Sequence, residues 1–144
     1  MGSDKTLAQL RQFLLVISAG VFVMTVTELF FLEHWNVTIQ FLPFALCALG
    51  LIGSALAYFR PTRKTILFTQ WSMIIIAACS AIGFYQHMTV NLEFWLEIQP
   101  DATTWELVEA TFKGGIPVLA PGILTLGGVI GATATYKHPA LETK

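Results

Sequence analysis

Charged side chains are scarce in this chain. Lys and Arg number 8 and Asp and Glu 9, together 12% of 144 residues. A soluble domain carries roughly a quarter. The deficit excludes a chain that covers its apolar surface with ionic groups, and it makes a bilayer the natural solvent. The formal net charge of −1 offers no electrostatic attraction to nucleic acid. Cysteine is almost absent. Cys47 and Cys79 stand alone, which excludes the closely spaced thiol pairs of metal and redox motifs. Both lie inside apolar runs and read as small apolar fillers. The sequence also lacks a phosphate-binding loop, a nucleotide fingerprint and a Ser-His-Asp order.

Long apolar runs are what the chain has instead. A helix crosses a membrane core of about 30 Å with about 20 apolar residues. Four such runs cover about 12–34, 38–59, 65–87 and 117–136. They predict an all-α polytopic membrane protein: four transmembrane helices in an antiparallel bundle, forming a single domain over 1–144. Pro61 ends the second run. Pro117 suits a first helical position, whereas Pro121, a turn further on, removes another hydrogen bond. A kink or a delayed start is expected there, with that end turned toward protein, because unpaired backbone is not tolerated against lipid.

Basic residues set the orientation. With the amino terminus inside, Lys5, Arg11, Arg60, Arg63, Lys64, Lys137 and Lys144 fall on the inner side and Lys113 alone on the outer. The positive-inside rule then places both termini in the cytoplasm. A cell inner (plasma) membrane is the expected location.

The outer loop is expected over 88–116. Val90, Leu92, Phe94, Leu96 and Ile98 alternate with polar or aromatic neighbours, which fits an extended segment or a continuation of the third helix. Thr103-x-x-Glu106 is a capping box, Trp105, Val108 and Phe112 share one face, and Gly114 is a stop. A short interfacial amphipathic helix over about 104–113 follows. Trp35, Trp95 and Trp105 are candidate interface anchors.

In lipid, helices associate through small residues. Gly50, Gly53, Gly127 and Gly131 mark such faces, for packing within the chain or against another subunit.

Candidate chemistry gathers at one rim. Glu28, with Thr25 a turn before it, puts a carboxylate inside an apolar run, where ionisable groups are candidates for ligand or proton sites. Glu33 and His34 end the first run, His87 ends the third, and Glu93 and Glu97 follow. Histidine and carboxylate suit a divalent metal such as zinc, and two histidines on different helices can ligate haem b. No His-x-x-x-His or Glu-x-x-His spacing supports either, so no cofactor is the leading expectation. Four short helices with a Glu in the first resemble the small multidrug resistance transporters. This chain departs from them in its length and its acidic outer loop. Disulfide-generating quinone enzymes need closely spaced cysteines, and claudin-like proteins carry outer ones; neither pattern is present.

Three functions follow as expectations. The first is a structural or accessory subunit, or an oligomerising scaffold, partnered by the bilayer and by other membrane subunits or copies of itself. The second is a small ion- or proton-coupled transport or binding protein centred on Glu28. The third is a metal- or haem-binding subunit built on His34 and His87. An enzymatic role has no motif behind it.

Overall fold

A computed structural model describes residues 2–142; Lys144, used above for orientation, lies outside the described residues. The described chain is helical, in the order α1 (Gly2–Phe31), a 3-10 turn (Thr38–Gln40), α2 (Phe41–Phe59), α3 (Arg63–Ile98), α4 (Thr104–Lys113), α5 (Leu119–Thr135) and a second 3-10 turn (Pro139–Leu141). Three helices, α1, α2 with its leading turn, and α3, are long and apolar enough to cross a membrane. The apolar α5 is shorter, 17 residues, or about 26 Å at 1.5 Å per residue.

Several boundaries differ from expectation, each for a local reason. The first helix stops at Phe31 rather than 34. There the Glu33 N–H donates to Phe30 O and the His34 N–H to Leu29 O, and Glu33 takes a left-handed φ of 49°. This is a Schellman stop with a non-glycine residue at the left-handed position. The third helix does not end at 87. It runs to Ile98, about 54 Å in all, so the loop expected over 88–116 shrinks to the turn before α4, α4 itself and the link to α5. The alternation over 90–98 is helical because the face that matters repeats differently: beyond His87 the shielded positions are Met88, Thr89, Asn91, Leu92 and Trp95, and Met88, Asn91, Leu92 and Trp95 follow one another at helical spacing. Gln99-Pro100 ends the helix, since proline disfavours a helical residue before it. The fifth helix begins at Leu119, after Pro117, with Pro121 still within its first turn.

The capping box forms as the sequence implies. Thr103 Oγ1 accepts from the Glu106 N–H at 3.4 Å and the Glu106 carboxylate accepts from the Thr103 N–H at 2.7 Å. The Thr103 N–H and the Thr103 hydroxyl, which also donates to the carboxylate at 2.7 Å, hold the Glu106 carboxyl below its ordinary value.

Helices α1, α2, α3 and α5 share one core. Phe22, Cys47, Met73, Ile76 and Leu124 meet in its main cluster, and Leu15, Ala57, Ile66 and Ala134 in a second. The buried face of α1 is Leu15, Ser18, Phe22, Thr25 and Leu29, again at alternating spacings of three and four. Phe22 is fully buried, and its ring lies against bare Cα atoms: a Cβ on Gly50 would overlap it, and one on Gly127 would come within 2.8 Å of Val21. At Gly128 a Cβ would stand 2.8 Å from the backbone of Met73 and Ala77, so α3 and α5 touch backbone to backbone. Gly53 and Gly131 face Thr69 and Met73. Buried hydroxyls tie the crossings: Ser18 donates to Gly127 O at 2.9 Å and Thr69 to Gly53 O at 2.8 Å. At the opposite end from His34, the Arg11 guanidinium donates to Lys137 O at 2.9 Å.

Candidate ligand-binding site

The link between α4 and α5 has no regular structure, so its backbone needs partners. Helix α3 supplies them. Asn91, buried, donates to Ile116 O at 2.9 Å and Thr111 O at 3.2 Å, and accepts from the Ile116 N–H at 3.0 Å. A Cβ on Gly114 would overlap the Asn91 side chain, which is why the chain leaves α4 through a glycine. One helical turn before Asn91, His87 Nδ1 lies 2.7 Å from Pro117 O. A carbonyl only accepts, so Nδ1 is the donor, and in the neutral imidazole Nε2 keeps its lone pair.

This pinned link closes one side of a cavity of about 490 Å³. Its other walls come from the end of α1, the turn at 34–40, the start of α2, and α3 from Cys79 to His87. The volume is that of a site for a small organic molecule. Leu29, Leu42, Leu46 and Leu124 make much of the wall apolar. The polar lining is Thr25, Gln40, Ser80, Gln86, His34 and His87. No Asp, Glu, Lys or Arg lines it. Thr25 is spent on Val21 O at 2.9 Å, and Gln40 Oε1 accepts from the Val37 N–H at 3.1 Å. Ser80 differs: its hydroxyl is buried and has no partner in the chain. His34 is held below its ordinary pKa, first by burial and then by the nearby His87 imidazole.

The residues singled out from the sequence are divided by this arrangement. Thr25, His34 and His87 come together on the cavity. Glu28 is exposed on α1 and does not line it. Glu33, Glu93 and Glu97 are also exposed. Among the described residues, no three His, Cys, Asp or Glu side chains converge as a metal site would require. Cys47 is buried in the core, and Cys79, half-buried, lines the cavity. Trp35 stacks at a tilt on Phe30, ring centres 5.3 Å apart. Trp105 is exposed, and Trp95 is half-buried with an unpartnered indole N–H.

Sequence reasoning passed over Ser80, Gln86 and Asn91. The signal was present in part: Ser80, His87 and Asn91, at spacings of seven and four, fall on one face of α3. A pattern scored for hydropathy alone does not register it. Comparison with protein-family models, with curated proteins and with solved structures finds no match to this chain.

Proposed function

We propose that this is an integral membrane protein that holds a small molecule at its outer rim. In this reading α1, α2, α3 and α5 all cross the membrane as an antiparallel four-helix bundle, both termini lie in the cytoplasm, and the membrane is the plasma membrane. Helix α5 reaches across with the help of the link that precedes it. The last turns of α3 and all of α4 then stand at or above the outer surface, where the acidic residues lie.

The observation that carries the binding role is the cavity with an unpaired, buried Ser80 hydroxyl in its wall. A buried hydroxyl without a partner is costly, about 1–3 kcal/mol, and a ligand that bonds to it relieves that cost. Native mass spectrometry of protein extracted gently from its own membranes tests this. A retained small molecule, lost when Ala120→Phe fills the cavity, is the expected result. Bare protein under every mild extraction overturns the reading.

A second reading, an accessory or self-associating subunit, rests on two other observations. Glu28 is exposed three residues before α1 ends; its backbone carbonyl accepts from the Leu32 N–H, but its carboxylate has no partner among the described residues, and charged groups in membrane spans usually find one. A shallow groove floored by Ala77, Ala78 and Ala132 runs along the outside of α3 and α5, and small residues suit close helix approach. Gly50, Gly53, Gly127 and Gly131, which the sequence offered for packing within the chain or against another subunit, are occupied within the chain. Cross-linking in the native membrane through a cysteine at Ala78 separates a subunit from a solitary protein.

A further inference from the structure

We infer that the cavity takes an uncharged, largely hydrocarbon molecule that carries a hydroxyl, a neutral lipid alcohol rather than an acid, an amine or a phospholipid. The inference rests on the binding role proposed above and names the class of ligand.

The charge follows from the lining. No Asp, Glu, Lys or Arg borders the cavity. An ion drawn into it would lose hydration and gain no counter-charge, a penalty of several kcal/mol. The only titratable nitrogens in the wall are His34 and His87, and burial beside a second imidazole disfavours a charge on His34. The hydrocarbon character follows from the leucine walls.

The hydroxyl follows from the hydrogen-bond inventory. His87 donates its Nδ1–H to Pro117 O, so in the neutral imidazole the other nitrogen is an acceptor that a donor on the ligand can meet. A ketone, ether or ester has none. Ser80 can donate or accept, and it lies seven residues before His87 on the same helix, about 10 Å deeper along the axis. A ligand hydroxyl at the His87 rim meets the rim nitrogen, and its chain or ring runs down to Ser80, whose own hydroxyl is paired only by a second polar atom about 10 Å along the ligand. The cavity thus has a rim that selects a donor and a floor that tolerates either role.

A matched series tests this on the full chain in lipid nanodiscs: dodecanol, dodecyl methyl ether, dodecanoate and dodecylammonium, with binding read by titration calorimetry at neutral pH. Dodecanol is expected to bind saturably and about tenfold more tightly than the ether, the value of one hydrogen bond, and to outcompete both ions. The preference for alcohol over ether should vanish in His87→Phe. Should that variant fold poorly, Ser80→Ala serves instead: the single hydroxyl of dodecanol sits at the rim, so the preference for alcohol over ether should survive, and its loss overturns the placement of the hydroxyl at His87. Equal binding of alcohol and ether, or tighter binding of either ion, overturns the ligand class while leaving the cavity as a binding site. Uptake of all four probes that is identical in the wild type and in Ala120→Phe overturns the cavity reading as well.

Discussion

His87 Nδ1 and the Pro117 carbonyl oxygen are 2.7 Å apart, thirty residues distant in the chain. The bond joins α3 to the last residues of the link into α5, where proline has removed the backbone's own donor. His87→Phe leaves the carbonyl without a partner, and a loss of about 1–3 kcal/mol is expected. Unfolding in mixed micelles at rising dodecyl sulfate fraction measures it, and faster hydrogen exchange at Val118 and Leu119 localises it.

Asn91 should matter more. Asn91→Leu removes the partners of the Ile116 N–H and C=O at once, and about 2–4 kcal/mol should be lost. The expected symptom is a link that becomes protease-sensitive between α4 and α5 while the remaining helices persist. Intact resistance to proteolysis in that variant would show that the link is held by something else.

The Phe22 ring against Gly50 is a close-packed contact with no spare volume. Gly50→Ala should cost about 1–3 kcal/mol by overpacking. Phe22→Leu in the same molecule should recover much of that loss. A double-mutant cycle is the measurement, and strict additivity would contradict the contact.

Glu33 holds a left-handed backbone at φ 49°, a conformation that costs a residue with a Cβ about 1 kcal/mol. Glu33→Gly should therefore raise stability by up to about that amount, and Glu33→Val should lower it. Both are read from thermal unfolding in detergent. The same substitutions shift the position of His34, so ligand retention is worth following alongside.

His34 gives a pH dependence of definite sign. Its folded-state pKa lies below the ordinary 6.5, through burial and then His87, so the unfolded chain binds the proton more readily than the folded one. Stability from this group is full above pH 6.5 and is lost as acid takes the pH down toward the folded value. His138 is depressed as well, by burial and then by Arg11, and pulls in the same direction. The decisive comparison is therefore His34→Gln against wild type: the variant should lose less stability between about pH 8 and pH 5.

Much of the secondary structure was legible locally. The capping box at Thr103 and Glu106 and the two prolines before α5 each act within a turn of chain, so α4 and the late start of α5 follow from short-range chemistry. The termination of α1 was not legible, because Glu33 occupies a position that usually announces itself as glycine. The alternation over 90–98 left an extended segment and a continued helix equally open for a related reason. Apolar residues on α3 above His87 occupy both faces, and only the polar and half-buried positions keep the helical period.

The sequence alone determined that the chain is helical and carries runs apolar enough to cross a membrane, because both depend on hydropathy and local caps; it offered four spans, and three of the helices have the length. Which side of each helix turns inward was decided by the tertiary structure. Lipid is as apolar as a protein interior, so Phe13, Val23 and Met24, exposed, look no different in the sequence from Leu15 and Phe22, buried. For the same reason only packing reveals that Glu28 points out while Thr25 and Ser80 reach the cavity, and that one buried hydroxyl there is left unpaired.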